Sequence, residues 1–157
     1  MSTRFRVAVI GAGIGAAHVE GYLANAPGFE VAVVCDLDEA RAAAVAATAP
    51  GAETAASYHA VLARGDIDLV DICLPPYLHL QAIETALAAG KHVLCEKPLV
   101  GSLSQVERVM RAQGNRISEQ GQQPRQVGVI PAGPLELSAQ RALRRVLLHD
   151  IQRHVAE

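Results

Sequence analysis

Short apolar segments alternate with longer Ala-rich segments through residue 112 of this chain, and few folds accommodate such a sequence. The apolar segments predict strands at Phe5–Ile10, Glu30–Cys35, Leu69–Leu74 and His92–Cys95. The Ala-rich segments predict helices at Ile14–Asn25, Asp38–Ala49, near Ser57–Ala63, at Tyr77–Ala89 and from Ser102 to about Ala112. Strands that alternate with helices predict an α/β fold with a right-handed, doubly wound parallel sheet.

The composition suits a parallel sheet that is covered by helices on both faces. Half of the 157 residues are hydrophobic but only 3% are aromatic, so Ala, Val, Leu and Ile must form the core. A chain of this length has room for one sizeable core. Residues 1–112 carry 8 basic and 12 acidic side chains, and residues 113–157 carry 6 and 4. Neither part is basic enough to predict binding to nucleic acid or to an anionic membrane.

The character of the sequence changes after Ala112. Residues 113–126 contain five glutamines and almost no apolar side chain, which predicts a polar linker or loop. Residues 127–157 predict a short strand at Val127–Ile130 and a final helix, and form a tail to the domain expected at residues 1–112. The apolar face of that helix, expected to pack on the sheet or on a partner, consists of Leu143, Val146, Leu147, Ile151 and Val155.

The cysteines and the N-terminal residues bear on the cellular compartment. Cys35, Cys73 and Cys95 fall at the ends of predicted strands and form no C-x-x-C pair, so they are interpreted as buried thiols in a reducing compartment. Two arginines before the apolar run Val7–Ala17 resemble a secretion signal, but glycines interrupt the run and a polar-striped helix follows. Because no segment is long and apolar enough to span a bilayer, we expect a soluble cytoplasmic protein.

A glycine-rich turn at residues 11–16 follows the first predicted strand and opens the first predicted helix. Gly11 permits a tight turn and Gly13 lets the backbone approach a pyrophosphate, while Gly15 or the alanine after it allows close helix packing. The helix N terminus at Ile14 supplies N–H donors and the positive end of a dipole. The alternative is that the glycines serve the turn alone. The dinucleotide-binding residues predicted for this Rossmann-type turn are Gly11, Gly13, Ile14 and Gly15.

An acidic residue closes the second predicted strand. Asp36 follows Gly11 by 25 residues, where a carboxylate can accept hydrogen bonds from the adenosine ribose hydroxyls. A carboxylate there repels a 2′-phosphate, so NAD is the favoured cofactor. Because the basic Arg41 follows in the sequence, NADP is the second choice. A competing interpretation is that Asp36 or Asp38 only caps the next helix.

The stretch Cys73–Leu99 combines several motifs in a defined order. With the opening glycines and His18, it resembles the Gfo/Idh/MocA oxidoreductases, the relatives of glucose-fructose oxidoreductase and inositol dehydrogenase. The resemblance covers roughly residues 5–112. The matching positions are a proline turn, a histidine, an Ala-Leu helix followed by Gly-Lys-His-Val, and Glu-Lys-Pro: Pro75, His79, Gly90–Val93 and Glu96–Pro98.

Lys97 lies just beyond the strand at His92–Cys95, at the sheet edge where open α/β proteins bind ligands. An amine there can bind a substrate hydroxyl and carry its proton while a nicotinamide accepts hydride. The matching lysine of the family is catalytic, so the resemblance implies that role for Lys97, with Glu96 orienting the amine. It also implies cofactor contacts at Pro75, His79, Glu96 and Lys97. A solvated surface lysine and a structural histidine are the alternative interpretations.

Two functions remain open at this point. The first is an NAD(P)-dependent oxidoreductase acting on a sugar, a polyol or a related hydroxyl substrate, and the second is a non-catalytic nucleotide-binding or redox-sensing module. The family has a second, substrate-binding domain that we expect this chain to lack, and this expectation favours a homo-oligomer or a partner subunit over turnover by the chain alone. The chain is then a natural half-protein, a gene remnant, or a product whose last 45 or so residues are foreign to the family.

No metal site is predicted, because the histidines show no metal-ligand spacing. Asp150 and His154 share a helix face and resemble an acid/base pair in the second domain of the family. Since two matching residues arise easily by chance, a polar helix face is the preferred interpretation.

Overall fold

The computed structural model describes residues 4–26, 28–114 and 127–129. The strands are β1 (Phe5–Ile10), β2 (Phe29–Cys35), β3 (Glu53–Ala55), β4 (Leu69–Ile72), β5 (His92–Cys95) and β6 (Val127–Val129). The helices are α1 (Gly15–Ala24), α2 (Glu39–Ala46), α3 (Tyr58–Leu62), α4 (Pro76–Ala88) and α5 (Leu103–Gly114). The final predicted helix and the pair Asp150 and His154 lie outside the described residues, as does most of the predicted linker.

All of these strands belong to one parallel sheet, in the order β3-β2-β1-β4-β5-β6. The chain builds outward from β1 to β3 and then crosses to the other side of β1 with β4. This is the strand order of the dinucleotide-binding Rossmann fold, and the crevice at its reversal point, between β1 and β4, is where such sheets bind ligands. The predicted doubly wound parallel sheet is confirmed.

The core lies on both faces of the sheet because neighbouring residues of a strand point to opposite sides. On one face, alternate residues of β1 and β4 pack against α1, in a cluster that includes Val7, Val9, Leu69, Val19 and Tyr22. On the other face, the intervening residues pack against α4, in a cluster that includes Ala8, Ile10, Ile72, Ile83 and Leu87. Both faces of the central strands are therefore covered by apolar side chains, as a parallel sheet requires.

The strand β3 is a difference between prediction and structure, since no strand was predicted at these residues. It pairs with Val33–Cys35 at the edge of the sheet, and its residues are exposed or half-buried. A short edge strand with an exposed face carries little apolar periodicity, so no pattern in Glu53–Ala55 predicted it.

Side-chain hydrogen bonds cap the N termini of α2 and α5. The Asp38 carboxylate accepts the Arg41 N–H at 3.0 Å, which caps α2. At α5 the Ser102 hydroxyl accepts the Gln105 N–H at 3.4 Å, and the Gln105 side chain accepts the Gly101 N–H at 2.8 Å. None of the helices in the described part of the chain is long and apolar enough to cross a membrane.

Candidate active site

The turn between β1 and α1 depends on glycine at two positions. Gly11 has a φ of +100°, and a Cβ atom there would lie 2.5 Å from the Cys73 carbonyl oxygen. A Cβ atom on Gly15 would lie 2.7 Å from a methyl group of Val9, so Gly15 lets α1 pack closely on β1. Gly13 has open space around the position of its missing Cβ. The close-packing role, left open between Gly15 and the alanine after it, therefore belongs to Gly15.

The N terminus of α1 is available to a ligand. No side chain among the described residues caps it, and its first turn carries no acidic residue. Gly13 is exposed, and Ile14 keeps 52% of its surface exposed. Uncapped N–H groups and the helix dipole together favour an anion such as a pyrophosphate at this position.

Asp36 joins the end of β2 to the glycine turn. Its Oδ2 accepts the Ala12 N–H at 2.8 Å, and its Oδ1 accepts the Asp38 N–H at 2.9 Å. Partial burial opposes ionisation, but these two hydrogen bonds and the nearby Arg41 guanidinium outweigh it and lower the pKa of the Asp36 carboxyl. The group is therefore an anion at neutral pH, and it lies beside the turn instead of capping α2.

Arg41 lies on the exposed side of the same corner. Its guanidinium is 3.3 Å from Asp36 Oδ1 and 3.6 Å from Asp38 Oδ2, and 52% of its side chain is exposed. A side chain held so loosely can turn toward a ligand without a large loss of stability. The corner therefore contains both an anion and a cation that can contact the ribose end of a dinucleotide.

Lys97 lies at the carboxyl end of β5 and is exposed. The preceding Glu96 accepts the backbone N–H of Lys97 at 2.9 Å through Oε2. No ion pair joins the Glu96 carboxylate to the Lys97 amine within the described residues, so Glu96 holds the backbone of Lys97 and leaves its amine unpaired. The Lys97–Pro98 peptide bond is cis. Pro75 is exposed just after β4, and parallel strands bring these residues to the edge that also carries the glycine turn.

A buried polar network lies directly behind this edge. The His18 imidazole on α1 places Nδ1 2.8 Å from Asp71 Oδ2 and Nε2 3.2 Å from Glu96 Oε1. The Tyr22 hydroxyl donates to the same Asp71 oxygen at 2.8 Å, and the Cys73 thiol donates to Asp71 Oδ1 at 3.5 Å. Sequence reasoning missed this network. A carboxylate inside the apolar segment of β4 was the available signal, because a buried charge requires a partner.

The charges of this network favour a protonated histidine. Burial alone would lower the pKa of His18, but the hydrogen bond and the charge of Asp71, together with Glu96, outweigh it and raise that pKa. An imidazolium has two N–H donors, one for each carboxylate. His18 therefore lies between two carboxylates, that of Asp71 at the centre of the sheet and that of Glu96 at its ligand-binding edge.

His79 lies in the interior, between the loops that follow β4 and β5. Its side chain is fully buried, with Nε2 2.7 Å from the Leu74 carbonyl oxygen and Nδ1 2.9 Å from that of Pro98. The predicted contact between His79 and a cofactor stays a prediction. His79 links the loop after β4 to the loop after Lys97.

The three cysteines are free and buried, which fits their interpretation as structural thiols. Burial raises the pKa of Cys35 to about 11 and that of Cys95 to about 12, and it also raises the pKa of Cys73. Such thiols are poor nucleophiles at neutral pH. In the described residues one group, His18, Asp71 and Cys73, lies close enough to share a cation, and the hydrogen bonds among the three account for the arrangement.

Comparison with known proteins relates the chain to one family. Residues 5–118 match the sequence model of the Gfo/Idh/MocA proteins, described as an oxidoreductase family with an NAD-binding Rossmann fold. An inositol 2-dehydrogenase of Arthrobacter sp. (strain FB24) is 40% identical over 114 residues, which are 72% of this chain and 34% of that enzyme.

Solved structures resemble the same part of the chain. KijD10, a 3-ketoreductase from Actinomadura kijaniata solved with NADP, superposes with a TM-score of 0.68 at 36% identity, over 73% of this chain and 36% of KijD10. GenD2 from gentamicin A biosynthesis, solved with NAD, gives a TM-score of 0.71 at 28% identity, over 82% of this chain and 35% of GenD2. The chain thus spans about a third of the length of the relatives that it matches.

Proposed function

Because the chain belongs to the Gfo/Idh/MocA oxidoreductase family, with its NAD-binding Rossmann fold, we propose that it binds a nicotinamide dinucleotide at the carboxyl edge of the sheet. The observation that carries the proposal is the junction of the glycine turn with Asp36, whose carboxylate accepts the Ala12 N–H at 2.8 Å. The pyrophosphate would lie over Gly13 at the uncapped N terminus of α1, where the backbone is open. The ribose of the adenosine half would then reach Asp36.

The lowered pKa of Asp36 supports NAD as the preferred cofactor, because a fixed anion repels a 2′-phosphate. A fluorescence titration with NADH and NADPH tests this preference. We expect tighter binding of NADH, and Asp36→Ala should narrow the difference. Equal affinities of the unmodified protein for the two cofactors would contradict the preference without contradicting dinucleotide binding.

We further propose that the site serves hydride transfer between the cofactor and a hydroxyl carbon of a sugar, a polyol or a related compound. Bound NAD supplies a nicotinamide that accepts the hydride. When the C–H bond breaks and the carbonyl forms, the hydroxyl proton must be accepted by a base. Lys97 supports this role because its amine is exposed at the carboxyl end of β5 and Glu96 holds its backbone.

The variant Lys97→Ala tests this role. Folding and most of the cofactor affinity should survive, because the Lys97 side chain is exposed, whereas any hydride transfer should be lost. The measurements are thermal unfolding, NADH titration and NAD reduction with a panel of polyols and sugars. A loss of thermal stability with unchanged residual activity would assign Lys97 a structural role instead.

We also propose that the described residues by themselves bind the dinucleotide with little or no turnover, because Gly13, Ile14 and Lys97 are exposed at an open ligand edge of the sheet. Holding the reacting carbon close to the nicotinamide supplies roughly 7–11 kcal/mol of an enzymatic barrier, and an open crevice cannot supply it. Self-association or a partner subunit would then enclose the substrate. A strictly monomeric chain with a turnover of about 1 per second or more would contradict this proposal.

A non-catalytic nucleotide-binding or redox-sensing module is the second candidate, because dinucleotide binding needs only the edge of the sheet at Gly13 and Asp36. The buried thiols with raised pKa values argue against a sensor that works through cysteine chemistry. They also support our proposal of a reducing, cytoplasmic location. Binding of NADH with no reduction of NAD by the chain, either alone or associated, would favour this candidate.

A further inference from the structure

We propose that His18 is a positioning residue for Lys97, because it holds the Glu96 carboxylate against the sheet and away from the Lys97 amine. The inference rests on the proposed role of Lys97 and adds a residue that the glycine turn and the Glu-Lys-Pro motif do not explain. His18 acts through Glu96 and has no direct contact with Lys97 in the described part of the chain.

Both oxygens of Glu96 are engaged. The His18 Nε2 atom lies 3.2 Å from Oε1, and the Lys97 backbone N–H donates to Oε2 at 2.9 Å. The Glu96 side chain is 17% exposed, so it lies at the rim of the buried network and next to solvent. Without His18, this carboxylate would be free to rotate outward, toward the exposed side chain of Lys97.

Buried neighbours fix the orientation of the His18 ring. Its side chain is 2% exposed, and the Asp71 carboxylate that it contacts at 2.8 Å is fully buried. The Tyr22 hydroxyl donates to the same carboxylate, and the Cys73 thiol lies 3.2 Å from the His18 Nδ1 atom. Because Asp71 and Cys73 both hold the Nδ1 side of the ring, the orientation of Nε2 toward Glu96 is a property of the folded sheet.

An amine without an ion pair can approach a substrate hydroxyl and exchange a proton with it. An amine bound to a carboxylate is held as an ammonium and is drawn back toward its own loop. The polar network thus links Asp71, at the centre of the sheet, to the Lys97 amine at the ligand-binding edge. It determines whether that amine is free or bound to a carboxylate.

The chemical reactivity of Lys97 tests this connection without requiring turnover. The chain contains only two lysines, and Lys91 is buried with its amine 2.7 Å from the Ile67 carbonyl oxygen. Acetic anhydride labelling at fixed pH, followed by mass spectrometry of peptides, therefore reports the free amine of Lys97. His18→Leu should slow Lys97 labelling by roughly two- to fivefold, which is the change that the free energy of a partly exposed ion pair would produce.

Two matched variants separate positioning from a general loss of structure. His18→Gln keeps a donor at the position of Nε2 and should restore the labelling rate. In a Glu96→Gln background, His18→Leu should have no further effect, since no carboxylate is left to attract the amine. Because His18→Leu leaves Asp71 buried without its cation, His18→Leu combined with Asp71→Asn repeats the comparison with no unpaired buried charge.

The outcomes distinguish this inference from the proposed function. Slower labelling that depends on Glu96 supports the positioning role, even if Lys97→Ala later proves to have no effect on hydride transfer. An unchanged labelling rate in folded His18→Leu, or in the combination with Asp71→Asn, would overturn it. An equal slowing in the Glu96→Gln background would also overturn it, because the effect would then not pass through Glu96.

Discussion

The two halves of the sheet contribute different kinds of residue to the candidate site. In the half from β1 to β3, the site is shaped by missing side chains, because Gly11 and Gly15 have no room for a Cβ atom. In the half from β4 to β5, it is shaped by buried polar side chains, and Asp71 and His79 are fully buried with specific partners. The first half is sensitive to atoms added at Gly11 and Gly15, and the second half is sensitive to the loss of a buried partner.

This difference determines which substitutions affect each half. A glycine turn fails through steric overlap, which is local and independent of pH. A buried polar network fails when a donor or a charge is lost, so it responds to isosteric substitutions and to pH. The two halves can therefore be tested separately, each with variants that leave the other unchanged.

The largest effect is expected from Gly11→Ala. The substitution combines a backbone conformation that favours glycine with a Cβ atom 2.5 Å from the Cys73 carbonyl oxygen. Strain and overpacking together should lower the free energy of unfolding by about 4 kcal/mol. Urea denaturation measures the change, and dinucleotide binding should be lost with it.

The matched control is Gly13→Ala in the same turn. Its Cβ atom would meet nothing within 4 Å, so the free energy of unfolding should change by less than about 0.5 kcal/mol. The added methyl group would occupy the space proposed for the pyrophosphate and should weaken NADH binding by about tenfold. If both variants lose stability equally, the steric account of Gly11 is wrong.

A smaller effect is expected from His79→Leu in the other half. The leucine fills the volume but removes the imidazole nitrogens that lie 2.7 Å from the Leu74 carbonyl oxygen and 2.9 Å from that of Pro98. The expected loss is about 2 kcal/mol in the free energy of unfolding. NADH binding should weaken as well, because the loop that follows Lys97 loses its anchor.

His59→Leu is the control for this variant, since His59 is exposed on α3. It should change the free energy of unfolding by less than about 0.5 kcal/mol. Equal losses in the two variants would show that His79 does not stabilise the loops.

The contrast between the halves also explains what the sequence could predict. The strands β1 and β5 were predicted to the residue, because each is a short apolar run with clear ends. The glycine turn was predictable because glycines between a strand and a helix have a local meaning. Asp38 was correctly weighed as a cap of α2, and Asp36 was separated from it only by the hydrogen bond to the glycine turn.

The buried polar side chains of the half from β4 to β5 could not be predicted as fully from the sequence. His18 and Asp71 are separated by 53 residues and meet only because α1 packs on β4. His79 matched a family position, but its burial follows from the packing of α4 and from loops on two strands. Sequence motifs identify residues one by one, whereas partners across the sheet become visible only once the elements pack together.

The pH dependence of stability should come next in size, because protonation changes one charge and leaves the packing intact. The raised pKa of His18 means that its stabilising contribution is fully present below the unfolded value of about 6.5. It is lost as the pH rises through the folded pKa. The groups that face His18 are Asp71, Cys73 and Glu96, with Tyr22 on the same carboxylate.

Urea denaturation across this pH range should therefore show that the unmodified protein loses stability as the pH rises. His18→Gln is the control, since it keeps one donor but does not titrate, and the slope should be smaller. An identical slope in the two proteins would mean that His18 is not protonated in the folded state.

The smallest effect is expected from Arg41→Ala, in the half that is shaped by glycine. The guanidinium is 52% exposed and 3.3 Å from Asp36, so its loss should lower the free energy of unfolding by no more than about 1 kcal/mol. If Arg41 provides residual affinity for a 2′-phosphate, its removal should weaken NADPH binding more than NADH binding, by up to about fivefold. Asp36→Ala should shift the ratio of affinities in the opposite direction, because it removes the repelling anion. Fluorescence titrations of both variants measure the two shifts, and shifts in the same direction would mean that charge at this corner does not select the cofactor.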